Sequence, residues 1–245
     1  MKKTVLITGG NSGIGLCAVQ GFLSHGWKVI ATVRSPEKKN SLETSCEGNK
    51  DLQVEICHLQ EPDSIAQLFS KPLEFEVLIN NAGMYAQTHL LSATAEDFNE
   101  MFQVNTMAPF LLSKHAIEVF RANKTSGLLL HVSSTLGSKP APNTSLYSAS
   151  KAALLSLSKS IAMEFAPDIR SICVNPGVVK TPIHEKVMGK ENAAEFQAEI
   201  SKMHPLGRIG TPQEVAGLLH RLCGEEFNWV TGTEIVIDGG ISLTC

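Results

Sequence analysis

The stretch "TVLITGGNSGIG", residues 4–15, sets the reading of the whole chain. "TVLIT" (4–8) is a short, apolar, β-rich run, and "TGGNSGIG" (8–15) follows it at once, with glycines at 9, 13 and 15 bracketing a turn. Ile14, Ala18, Phe22 and Leu23 then share one helical face, and Gly26 is placed as a C-terminal stop. A strand that passes through a glycine-rich turn into a helix lets the backbone approach a pyrophosphate, which sits on the positive end of that helix. Small residues in such a turn also serve tight strand–helix packing. The three residues between Gly9 and Gly13 differ from the commonest GxGxxG spacing.

Six more β-rich runs follow: "WKVIATV" (27–33), "LQVEI" (52–56), "FEVLIN" (75–80), "GLLLHVS" (127–133), "IRSICVN" (169–175) and "TEIVID" (233–238). Several are apolar throughout, as strands buried on both faces of a parallel sheet are. Helical spacing separates them. Thr94 and Asp97 make a capping-box pattern ahead of Phe98, Met101, Phe102 and Val104. "ASKAALLSLSKSIAMEFA" (149–166) reads as a helix apolar nearly all round, so the expectation is that it is well buried. Strand–helix alternation over the full length predicts the α/β class, a single doubly wound parallel sheet with helices on both faces, in one domain spanning 1–245. The polar segment 182–203 departs from the alternation and is expected to be helical.

Composition narrows the function classes. The 245 residues are 43% hydrophobic, enough for a sizeable core, and the net charge of −3 comes from interspersed acids and bases. That excludes an electrostatic nucleic-acid footprint and a polybasic membrane patch. No apolar run reaches the ~18 residues of a transmembrane helix, and "MKKTVLITGGNSG" lacks the long apolar stretch of a signal peptide. The six cysteines (17, 46, 57, 173, 223, 245) have no CxxC spacing and read as reduced thiols, most of them core filler, in a cytoplasmic protein. No HxxH or HExxH grouping marks a metal site.

Cofactor choice is read about 20 residues past the glycine turn, where the second strand ends in "ATVRSPE" (31–37). An acid there would bond the ribose of NAD. Instead Val33 is apolar and Arg34 is the first charge, which favours NADP(H) through its 2′-phosphate and leaves NAD(H) possible. A merely solvated Arg34 is the plain alternative. In "SLYSASK" (145–151), Tyr147 and Lys151 stand one helical turn apart on one face. Such a pair often arises by chance. Ser134 alone reads as turn chemistry, and Asn105 as an ordinary backbone hydrogen bonder.

Taken together, the glycine turn, "NNAG" (80–83), Ser134, Tyr147 and Lys151 resemble the short-chain dehydrogenase/reductase family over almost the whole chain. Thr8, Gly9, Gly13 and Gly15 meet its TGxxxGxG motif, and Tyr147 with Lys151 its YxxxK motif. The resemblance implies a catalytic set of Asn105, Ser134, Tyr147 and Lys151. It implies cofactor contacts from Gly9, Asn11, Ser12, Gly13, Ile14, Gly15, Arg34, Asn81, Ala82 and Gly83. Tyr147, Lys151 and the "NPGVVKTP" residues Pro176, Gly177, Val179 and Thr181 complete that set at the nicotinamide end. His58 stands where members usually carry an adenine-binding aspartate, with Leu59 beside it for backbone contacts.

The implied reaction interconverts a carbonyl and a secondary alcohol, a 3-oxoacyl thioester or another ketone or aldehyde. Tyr147 is its acid/base, since a neighbouring ammonium lowers a phenol pKa from ~10. Segment 182–203, with apolar Val187, Met188, Phe196 and Ile200, is the expected substrate lid. A homotetramer or homodimer is implied as well. The alternative from another class is an NADP(H)-binding regulatory or structural subunit without turnover.

Overall fold

Seven strands pair in parallel in the order β3-β2-β1-β4-β5-β6-β7 in a computed structural model that describes residues 2–244. The strands are β1 (Thr4–Thr8), β2 (Lys28–Val33), β3 (Leu52–Ile56), β4 (Val77–Asn80), β5 (Gly127–Val132), β6 (Ile169–Pro176) and β7 (Glu234–Ile237). Every β-rich run of the sequence is a strand, with bounds that agree to within two residues at each end. The helices are α1 (Gly13–Ser24), α2 (Pro36–Ser45), α3 (Pro62–Phe69), α4 (Ala95–Phe102), α5 (Ala108–Asn123), α6 (Ser145–Phe165), α7 (Pro182–Met188), α8 (Lys190–Met203) and α9 (Pro212–Arg221). Chain order reverses between β1 and β4, and a crevice opens there beyond the carboxyl ends of the strands.

Strand apolarity feeds two separate cores. Val5 and Ile7 of β1 face one layer with Val19, Phe22, Val215 and Leu219, whereas Leu6 faces the other with Leu112, Phe120 and Ile161. The same alternation divides Val77 and Ile79 from Leu78, and Leu128 and Leu130 from Leu129. Burying each such side chain contributes roughly 1.5–3 kcal/mol, so both faces must be covered and the runs cannot alternate with polar residues.

Local signals hold where they are chemical. Thr94 Oγ1 accepts from Asp97 N at 3.1 Å, and Asp97 Oδ2 accepts from Thr94 N at 2.9 Å, the reciprocal capping box at the start of α4. Between α4 and α5 the chain makes a π-turn, Gln103–Met107, that carries Asn105. Pro109 explains it: proline has no N–H to return to the Asn105 carbonyl, so the regular ladder cannot continue through this point.

Helix α6 differs from expectation. Ser148, Lys151, Leu154, Leu155, Ser158 and Ile161 are buried, but Ala152, Ser156, Lys159 and Met163 lie exposed, Met163 at 87%. Small and apolar residues occur all round this helix, yet the sheet covers one face only. Among the cysteines, Cys57 and Cys173 are buried while Cys17, Cys46 and Cys223 are only partly so. Cys245 lies outside the described residues. No helix among the described residues is long and apolar enough to cross a membrane.

Candidate active site

The glycine turn takes its shape from two positions. Gly13 has φ +54°, a region that penalises side chains. Gly15 has no room: a Cβ there would stand 2.1 Å from the Gly9 carbonyl oxygen and 2.5 Å from Asn81 Nδ2. Thr8 Oγ1 accepts from the Asn81 and Ala82 amides at 3.0 Å, and Asn81 Nδ2 donates to the Thr8 carbonyl at 2.8 Å. The "NNAG" segment is thereby tied to the turn. Ser12 makes no side-chain cap and the first turn of α1 holds no acid, so its amides and dipole are presented to the crevice.

A cleft of about 480 Å³ runs from this turn to α7 and α8. Gly9, Asn11, Ser12, Gly13, Ile14 and Arg34 line one end, with Asn81, Ala82 and Gly83 at the middle. Ser134, Tyr147, Lys151, Pro176, Gly177, Val179 and Thr181 line the rest. Four expected residues stay out of the lining. Gly15 is packed behind Gly9, where its role is to let α1 approach. His58 is exposed after β3, its amide donating to Ser64 Oγ at 2.9 Å, and Leu59 packs toward the second core. Asn105 is fully buried: its Oδ1 accepts from Met84 N at 2.9 Å and its Nδ2 donates to Met84 O and Ser150 Oγ. Its side chain is committed to holding Met84 against α6.

Helix α6 begins at Ser145, so Tyr147 and Lys151 do share one face at the cleft. Lys151 is 4% exposed and donates from Nζ to the Val132 carbonyl at 2.9 Å, while Nζ lies 5.8 Å from the Tyr147 ring centroid. Burial lowers its pKa to about 8, which still leaves it mostly protonated at neutral pH. Tyr147 keeps some exposure toward the cleft, yet the protein packed around its phenol raises the pKa to about 12. A hydrogen bond from Ser134 opposes that rise and the nearby Tyr85 adds to it. Against expectation, Lys151 is not among the groups that lower this pKa. The ammonium is turned to the end of β5, and desolvation dominates.

Other lining residues carried no sequence signal or a weak one. Lys38, four positions after Arg34 at the start of α2, faces the same end of the cleft, and the Arg–Lys spacing in "RSPEKK" was there to be read. Neither cation is in an ion pair with a described residue. Glu37 instead bonds Ser35. Tyr85 and His184 enter from separate segments, which nothing local announces. Of the apolar residues of segment 182–203, Phe196 and Ile200 reach the cleft with Ile183, followed by Met203, whereas Val187 points to solvent.

A pyrophosphate fits the side-chain-free cradle and uncapped helix end. A 2′-phosphate fits the two cations, and a carbonyl fits beside the Ser134 and Tyr147 hydroxyls. Fold and cleft thus define a nicotinamide-dinucleotide-dependent oxidoreductase acting on CH–OH and C=O groups. The profile of the family described as Enoyl-(Acyl carrier protein) reductase matches residues 9–242. The chain belongs to the short-chain dehydrogenase/reductase family. It is 32% identical to a 3-oxoacyl-(acyl-carrier-protein) reductase FabG of Rickettsia felis, covering 98% of this chain and 97% of that protein. It is 33% identical to a tropinone reductase homologue of Arabidopsis thaliana, covering 98% and 91%. Among solved structures, ElxO with NADP bound superposes with a TM-score of 0.88 at 30% identity, over 98% of this chain and 99% of that one. 4-Hydroxyisoleucine dehydrogenase complexed with NADH superposes at 0.90 and 30% identity, over 99% of each.

Proposed function

We propose that the protein is an NADP(H)-dependent reductase/dehydrogenase that interconverts a ketone or aldehyde and its alcohol, with Tyr147 as acid/base. The observation that carries this reading is the convergence of Tyr147, Ser134 and Lys151 in one cleft whose far end bears Arg34 and Lys38. The nicotinamide, when bound, supplies or accepts the hydride. In reduction, the π pair of the carbonyl moves onto oxygen, and Tyr147 Oη gives that oxygen its proton. A phenol pushed up to about 12 stays protonated at neutral pH, the state a donor needs. Ser134 Oγ holds the same oxygen, and the Lys151 ammonium stabilises the phenolate left behind until it is reprotonated. Asn105 acts one layer back by fixing the segment opposite Lys151. Segment 182–203, as the helical pair α7 and α8, is the substrate lid.

The test is a panel of ketones, 3-oxoacyl thioesters among them, with NADPH and NADH consumption measured separately. NADPH is expected to be preferred, and Arg34→Asp combined with Lys38→Ala to reduce NADPH affinity by roughly 100-fold, as loss of two charge-assisted contacts predicts. Equal binding of both cofactors, or an unchanged preference in that variant, removes the 2′-phosphate assignment. Tight NADPH binding with no turnover on any substrate would instead point to a binding-only subunit.

We also infer a cytoplasmic location, and a homo-oligomer supported by the exposed small and apolar face of α6 and by exposed Phe98 on α4, Met107 at the end of the π-turn and Phe110 on α5. Light scattering that returned only the 26.4 kDa monomer mass would remove the oligomer.

A further inference from the structure

Ser134 opens a short 3-10 turn, Thr135–Gly137, and its Oγ accepts from the Leu136 amide at 3.1 Å. The turn lies close over α6. A Cβ on Gly137 would stand 3.1 Å from the Lys151 carbonyl carbon and 3.2 Å from the Ala152 nitrogen. Its far side is open, since Ser138 and Lys139 are exposed. Lys139 donates from Nζ to the Ser242 carbonyl, and Ser138 Oγ donates to Glu234 Oε2 of β7 at 2.9 Å.

That carboxylate is itself fastened to two other elements. Asn175 Nδ2 of β6 donates to Glu234 Oε2 at 3.0 Å, and Lys159 Nζ of α6 donates to Oε1 at 2.6 Å. Asn175 is fully buried and immediately precedes Pro176 and Gly177, which line the cleft. Burial alone would raise the Glu234 pKa, but the bonds from Lys159, Ser138 and Asn175 turn the shift downward, so the group is ionised at neutral pH. Hydrogen bonds to an ionised acceptor are roughly twice as strong as neutral ones. Glu234 does not line the cleft, so it reaches the chemistry only through what it holds.

We propose that Glu234 is a positioning residue: anchored to β6 by Asn175, it holds Ser138 and so fixes the Ser134 hydroxyl beside Tyr147 and the substrate oxygen. The inference rests on the oxidoreductase reading and deepens it. Ser134 also hydrogen-bonds Tyr147, so a turn that drifts disturbs the acid/base group as well. A misplacement of about 1 Å at a group that must meet the reacting atoms can cost about 10²-fold in rate. Lys159 has a side chain 53% exposed, and an exposed ion pair of this kind contributes little. Asn175 and Ser138 make the clamp, and Lys159 is dispensable to it.

The test compares Glu234→Ala, Glu234→Gln, Ser138→Ala and Lys159→Ala with the wild type by two readouts. One is kcat and KM for NADPH-dependent reduction across the ketone panel. The other is the carbon-13 NMR signal of Tyr147 Cζ in tyrosine-labelled protein, where the chain has 2 tyrosines and Tyr147→Phe assigns the pair. Glu234→Ala is expected to lower kcat by about 30-fold and Ser138→Ala by about tenfold, with KM within about threefold. Both are expected to move the Tyr147 signal in the direction that Ser134→Ala moves it. Glu234→Gln keeps an oxygen for Ser138 and Asn175 and is expected within about threefold of wild type, Lys159→Ala within about twofold. In a Ser134→Ala background, Glu234→Ala is expected to cost less than about threefold more, because the hydroxyl it positions is already gone. Ser138 is exposed, so its variant carries the test if loss of Glu234 unsettles the edge strand. A kcat within about threefold of wild type in both alanine variants, or losses that multiply in the Ser134→Ala background, overturns the inference and leaves the reductase reading standing. If the wild type reduces no ketone, the reductase reading falls and the Tyr147 signal decides alone. A shift in the alanine variants that Glu234→Gln reverses upholds the positioning role, and an unmoved signal overturns it.

Discussion

Replacing Tyr147 by Phe is expected to lower kcat/KM for ketone reduction by about 10³-fold while NADPH affinity stays within about twofold, the range for losing a positioned general acid. The substitution removes Oη and nothing else. The ring keeps its edge contact with Tyr85 and its place on α6, so the cleft retains its shape. Ser134 still offers a hydroxyl to the substrate oxygen, but it lies at the end of β5 with its own Oγ accepting from the Leu136 amide at 3.1 Å. It has no ammonium placed to stabilise the anion it would become. The loss corresponds to about 4 kcal/mol of transition-state stabilisation. Stopped-flow and steady-state rates with NADPH are the check, and turnover within about tenfold of wild type would end the acid/base assignment for Tyr147.

Gly15→Ala is expected to weaken NADPH binding by about 5- to 150-fold and to lower thermal stability, because overpacking of a tight site costs roughly 1–3 kcal/mol. The added Cβ would meet the Gly9 carbonyl oxygen at 2.1 Å and its carbon at 2.9 Å, and both atoms are backbone. Relief requires α1 to move away from the turn, which withdraws the helix amides from the pyrophosphate. It would also press on Asn81, whose Nδ2 bonds the Thr8 carbonyl and ties two strand ends together. Gly21→Ala is the control, since a Cβ there meets nothing within 4 Å. That change removes a helix-interior glycine and should stabilise by about 0.4–1 kcal/mol. Calorimetric titration of the two variants side by side decides it: equal NADPH affinity in Gly15→Ala and wild type would contradict the packing role.

The strands were legible because each must be apolar on both faces, and the pattern is a direct consequence of two cores flanking one sheet. The capping box at Thr94 and the helix stop at Gly26 were legible because a few consecutive residues contain all the chemistry of a helix end. The pairing of Tyr147 with Lys151 was legible as a helical turn. Helix α6 is buried on one side only, because composition says how apolar a helix is, while the sheet decides which face it covers. His58 and Leu59 stand at the adenine position of the family motif, and the structure sets His58 in solvent after β3 and packs Leu59 against the second core.

By itself the sequence determined the parallel sheet, the glycine cradle and the residues able to handle a proton, since these follow from periodicity, the absence of side chains and a spacing of four. Only the tertiary structure decided what surrounds them. It turned Lys151 to the Val132 carbonyl, committed Asn105 to Met84 and Ser150, and set Lys38 beside Arg34. It also brought His184 of α7 against Tyr85, and Tyr85 against Tyr147. These contacts join residues many positions apart, and packing of whole elements, rather than any local pattern, sets the desolvation and the partners on which their chemistry depends.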